Sequence, residues 1–217
     1  MRSFLYAVLT LIILIQPALA DDKNAAGELL KSKLDAAFVV LQKEDLEQEA
    51  KNSQIIDIVT PMFDFTLMAK LTLGRKHWPG LSKENKAKFT KLFINRLKES
   101  YRDKLTLYTD EMVVYDEPLQ VKNKIHIPTH LFSKGNRISM LYKLYRSKQQ
   151  WKIYDIEIQG VSIISTYRSQ FDEILSNGTI KDLLLKLENR KINEPLSFTD
   201  ASYRYAISFF PSGKFLR

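Results

Sequence analysis

The segment from Trp151 to Phe171, reading WKIYDIEIQGVSIISTYRSQF, constrains the fold more than any other part of the chain. It has the pattern of a strand, a glycine corner and a helix. Trp151, Ile153, Tyr154, Ile156 and Ile158 place aromatic and β-branched residues on both faces of the strand, which is therefore expected to be covered on both sides. Gly160 breaks the strand. Ser162 can then cap a helix in which Ile164, Tyr167, Phe171, Ile174 and Leu175 recur at three- and four-residue spacing as one apolar stripe.

The rest of the chain builds outward from that segment. Leu30, Leu34, Ala37, Phe38 and Leu41 fall on one face and predict an amphipathic helix from about residue 25 to 41. A second is predicted from about Asp45 to Val59. Thr60-Pro61 or Asp64 starts a third, which ends at Gly74 and is apolar nearly all round. After Trp78-Pro79-Gly80, Ser82 can cap a long helix with Phe89, Leu92, Phe93, Leu97 and Tyr101 inward and its basic residues outward. The period changes after Leu107. Met112 to Tyr115, then Ile125, Ile127, Thr129 and Leu131, then Ile138, Met140, Tyr142 and Leu144, alternate as strands, with Lys134-Gly135-Asn136 as a hairpin turn. Asn177-Gly178 closes the helix after the corner, and Thr179 with Asp182 opens a last one carrying Ile180, Leu183, Leu184 and Leu187. The expected fold is α+β, with N-terminal and C-terminal helices packed on a curved antiparallel β-meander.

Both ends differ from the middle. Arg2, the apolar run from Phe4 to Ile15, and Ala18-Leu19-Ala20 before Asp21-Asp22 have the order of a secretory signal peptide. The run is too short for a spanning helix, which needs about twenty residues. Residues 1–20 are thus read as a cleaved signal peptide, 21–188 as the folded domain, and 189–217 as a poorly ordered extension. Within that extension Asn193-Glu194-Pro195 breaks the helix, and Phe198, Tyr203, Tyr205, Phe209 and Phe210 follow no clear period. With no cysteine in the chain, neither a disulfide framework nor a lipidated cysteine is available. The formal charge of +8 falls to +7 without Arg2. Its lysines and arginines between residues 83 and 104 are interleaved with Glu84, Glu99 and Asp103, the pattern of a solvated helix face rather than a nucleic-acid stripe.

Reactive constellations are sparse. His126 and His130 share a strand face about 13 Å apart, too far to ligate one metal ion, and His77 stands alone in a turn. Gly160-Val161-Ser162-Ile163-Ile164 lacks the second glycine of a nucleophile elbow, and no glycine-rich phosphate loop occurs. Asp155 and Glu157 alternate on one strand face. They allow an acid/base pair acting on a hydrophobic substrate, though a hydrogen-bonded structural role for Asp155 is the better fit. The surplus of apolar and aromatic residues suits either an ordinary core or a cavity wall.

Ile153-Tyr154-Asp155-Ile156, Gly160-Val161-Ser162 and Tyr167-Arg168-Ser169-Gln170-Phe171 resemble the MlaC-type periplasmic phospholipid-binding proteins, also described as toluene-tolerance auxiliary components of an ABC transport system. Phe63-Asp64-Phe65 with Met68-Ala69, Leu73-Gly74 with Trp78, and Phe89, Phe93, Leu97 and Tyr101 extend the resemblance over residues 29–186. It implies an apolar cavity enclosed by helices and sheet. It also implies a carrier, not an enzyme, that works without a cofactor as a monomer. Its partners would be phospholipid, an inner-membrane ABC transporter complex and an outer-membrane lipoprotein complex. Two acyl chains expose some thirty methylenes, about 24 kcal/mol of transfer free energy at ~0.8 kcal/mol each, which a carrier must hide from water. The resemblance makes Met68, Phe89, Phe93, Tyr142, Tyr154, Val161, Ile164 and Tyr167 candidates for the lipid-binding wall. Arg168 is placed at the mouth, at a partner-docking surface, or in a structural ion pair. The headgroup stays in water, with little specificity expected.

Overall fold

The computed structural model describes residues 16–105, 112–133 and 136–189. The Phe4–Ile15 run, the Lys134-Gly135 turn, the Tyr101 side chain and the extension after Asn189 lie outside the described residues. Four helices come first. They are α1 (Gln16–Leu41), α2 (Gln48–Val59), α3 (Phe65–His77) and α4 (Lys83–Leu105). Six strands follow, β1 (Met112–Tyr115), β2 (Leu119–Val121), β3 (Lys124–Ser133), β4 (Asn136–Ser147), β5 (Gln150–Ile158) and β6 (Val161–Ser162), and then α5 (Ile163–Asn177) and α6 (Ile180–Glu188). The sheet is antiparallel in the order β1-β3-β4-β5-β6, with β2 beside the other end of β3.

Local chemistry explains most boundaries. The Asp64 carboxylate accepts from the Leu67 N–H at 2.8 Å and starts α3, while Thr60–Met62 forms a separate 3₁₀ turn. Ser82 accepts from Asn85 at the head of α4, Ser162 from Ser165 at the head of α5, and Thr179 makes a reciprocal capping box with Asp182 on α6. α1 starts earlier than the periodicity predicts, because the residues between Ala18 and Ala26 include no helix breaker.

The glycine corner is a two-residue hairpin. Gln159 and Gly160 have φ of 51° and 79° between the paired residues Ile158 and Val161. Gly74 plays a different part, with φ 61° and ψ −168°, a region nearly closed to other residues. It kinks α3 instead of ending it. At the kink the exposed Arg168 side chain donates from Nε to the Leu71 carbonyl at 2.9 Å, so Arg168 ties α5 to α3. A Gly74→Ala substitution should therefore destabilise the fold by about 1–3 kcal/mol. Urea unfolding would measure it, and wild-type stability would mean that the kink is unstrained.

The expectation that β5 is apolar on both faces needs correcting. Lys143 pairs with Asp155 but Leu144 with Ile153, so Tyr154 is the extra residue of a β-bulge. The bulge resets the alternation. Trp151, Ile153, Ile156 and Ile158 consequently share the helix-facing side, and Tyr154 alone of the five lies on the other. There it meets the Tyr145 ring edge-on at 6.0 Å, the Lys124 ammonium at 4.3 Å and His126 Nε2 at 3.3 Å.

Behind the sheet, Phe89 and Phe93 stack at 6.1 Å and Phe171 stands perpendicular to both. Tyr167 packs edge-on against Phe93 at 5.3 Å. This cluster locks α4 to α5. Ala37, Val40, Leu41 and Ile55 form a second, smaller apolar cluster inside the α1–α2 hairpin.

Candidate functional site

An apolar cavity of about 300 Å³ lies where the two clusters face each other. α1 and α2 supply one wall through Leu34, Ala37, Phe38, Ile55 and Val59, spaced so that one helical face of each turns to the sheet. The sheet supplies the other. Leu131, Ile138, Met140, Tyr142, Ile156 and Ile158 reach it because alternate residues of three paired strands project to one side. Phe63, Phe65 and Met68 close one side, next to Leu97 and Lys98 of α4. The Tyr142 hydroxyl turns to Met140 Sδ at 3.7 Å, and burial raises its pKa, so the group stays neutral.

Of the eight residues proposed for the wall, Met68 and Tyr142 line this cavity. The others do not. Phe89, Phe93 and Tyr167 belong to the aromatic cluster between α4 and α5, and Ile164 is buried in the same core. Val161 is in the two-residue β6, outside the lining, and Tyr154 is on the opposite sheet face. Arg168 likewise braces α3 and does not touch the lining. The periodicity that selected them reports which side of an element is apolar, not what lies across from it. The missed α1 and β3–β4 positions had been read from the same stripes as ordinary inward faces.

Polar side chains gather on the far side of the sheet. Asp155, 5% exposed, accepts from the Ser162 hydroxyl at 2.8 Å and the Ile164 N–H at 3.2 Å, and pairs with Lys143 Nζ at 3.2 Å. Glu157 contacts the same ammonium. Burial lowers the Lys143 pKa, but Glu157 and Asp155 outweigh it and raise the group overall. Both carboxylates thus share one ammonium, away from the cavity. His126 is held below its ordinary pKa, mainly by burial and then by Lys143 and Lys124. His77, expected to stand alone, ends α3 and lies 2.7 Å from Asp172. His130 sits 3.0 Å from Asp116. Among the described residues no group of three or more metal-ligating side chains comes together.

Fold and cavity together define an α+β protein that presents an apolar chamber. The model of the MlaC protein family matches residues 31–189, and the chain belongs to that family. It is 22% identical over 206 residues to the Haemophilus influenzae intermembrane phospholipid transport system binding protein MlaC, covering 90% of this chain and 94% of that one. The structure of a phospholipid-binding protein from Ralstonia solanacearum, solved in complex with a phospholipid, superposes with a TM-score of 0.68 at 23% identity. That match spans 75% of this chain and 94% of the other, and shows a shared fold. Among the described residues no helix is long and apolar enough to cross a membrane.

Proposed function

We propose that this chain is a soluble periplasmic phospholipid carrier. It shuttles lipid between an outer-membrane lipoprotein complex and an inner-membrane ABC transporter complex, and so maintains outer-membrane lipid asymmetry. It is exported by a signal peptide cleaved after Ala20, acts as a monomer, and performs no chemical step. The observation that carries this reading is the apolar cavity between the α1–α2 hairpin and the sheet, in a chain of the MlaC family. Native mass spectrometry of the purified protein with lipid extraction tests it. Co-purifying phospholipid supports the carrier; protein without lipid that turns over a hydrophobic substrate, and loses that activity on Asp155→Asn, supports an enzyme instead.

Transfer also requires release, for which the helices move relative to the sheet when the protein docks on a membrane complex. α1 lies against the sheet edge, where the Tyr115 hydroxyl donates to Asp35 at 2.9 Å and a Cβ added at Gly27 would lie 3.1 Å from Pro118 Cγ. The chain has no cysteine to compete with a pair introduced at these two neighbouring positions. Oxidised Gly27→Cys/Pro118→Cys protein should retain bound lipid but fail to transfer it between vesicles, with transfer restored by reduction. Undiminished transfer in the oxidised form would exclude this motion.

A further inference from the structure

Among the described residues the cavity lining carries three hydroxyls, those of Thr60, Thr129 and Tyr142, and one charge. The charge is Lys98. It follows Leu97, which is 6% exposed, on α4, and is itself half-buried. Its ammonium lies 5.8 Å from the centre of the Phe65 ring, which stacks on Phe63 at 5.2 Å. Lys31, Lys76, Lys88 and Lys143 are matched with carboxylates, while Lys86 and Lys124 lie over the rings of Trp78 and Tyr154, outside the cavity lining. Over Phe65 the Lys98 ammonium is positioned by a ring face, which attracts a cation without neutralising it.

We propose that Lys98 binds the phosphate of the cargo and makes the chain selective for lipids with an anionic phosphate over neutral lipids bearing the same tails. The proposal rests on the carrier reading and assigns the residue that selects the headgroup at the same cavity. A half-buried lysine lays its methylenes along the apolar wall and holds its ammonium at the water boundary. A phosphodiester sits at the same boundary when its acyl chains are inside, because charge stays hydrated while methylenes are buried. Beside a low-dielectric wall the pair attracts more strongly, and is screened less by salt, than it would be in open water. A neutral lipid gains nothing from the ammonium. Lys98 thus contributes headgroup selection, where the sequence alone suggested little.

Delipidated protein would be incubated with vesicles containing equal amounts of phosphatidylglycerol and diacylglycerol of identical acyl chains, and the bound lipid weighed by native mass spectrometry. The wild-type chain should take up phosphatidylglycerol about tenfold over diacylglycerol. Lys98→Gln should lower that ratio towards one by reducing phosphatidylglycerol uptake, and Lys98→Arg should preserve it. An unchanged ratio in Lys98→Gln would overturn the proposal and leave the carrier reading intact. A wild-type chain that takes up neither lipid overturns the carrier reading, and the proposal with it. Thermal melting of the variants separates lost selectivity from lost fold.

Discussion

Replacing Ala37 with tryptophan should strip the protein of co-purifying phospholipid, reducing it at least about tenfold, a loss of ~1.4 kcal/mol or more of binding free energy. Ala37 is 9% exposed and looks from α1 across the cavity to the sheet. A bicyclic ring there occupies a large share of a chamber of about 300 Å³ and displaces the tails from it. Overpacking would cost about 1–3 kcal/mol of stability, which melting would register as a modest fall. The control is Val39→Trp. That neighbour is 61% exposed on the same helix, so it tests an added indole without filling the cavity. Wild-type lipid content in Ala37→Trp would remove this chamber as the lipid site.

The second large effect concerns the joint between sheet and helix. Asp155→Ala should destabilise the fold by about 3–5 kcal/mol, because it breaks a buried ion pair from one side and strips the Ile164 N–H and the Ser162 hydroxyl of their acceptor. For a domain of this size that corresponds to a Tm lower by roughly 6–20 °C. Asp155→Asn retains an acceptor oxygen and should cost less, about 1–2 kcal/mol. Glu157 still holds Lys143 in both variants, which limits the damage. A Tm within about 2 °C of wild type for Asp155→Ala would refute the structural role.

How far the sequence reached depends on the element. Caps were legible because they are local: Asp64, Ser82, Ser162, and Thr179 with Asp182 each bond to a backbone N–H three residues on. The alternation on β3 and β4 predicted their shared inward face, which β-pairing then reproduced. On β5 the same reasoning misled. Apolar residues at 153, 154 and 156 look two-sided under strict alternation, whereas a bulge at Tyr154 puts Ile153 and Ile156 on one side. A bulge is set by the partner strand, and so has no marker of its own in β5.

The lipid-wall candidates expose the same boundary. Phe89, Phe93 and Tyr167 carried the strongest aromatic signal, and they pack into one another; the chamber instead takes smaller aliphatic residues such as Ala37, Leu131, Ile138 and Ile156. By itself the sequence determined the α+β class, the order of helices and strands, the glycine corner and the role of Ser162 as a cap, since each follows from spacing along the chain. Only the tertiary structure decided which apolar faces meet in close packing and which stand apart around a cavity, that Tyr154 turns away from it, and that Lys98 brings charge to its lining. The physical reason is that burial constrains a side chain's polarity whether its neighbour is another side chain or a gap, so periodicity records burial and leaves the distance between opposing faces to the packing of the whole fold.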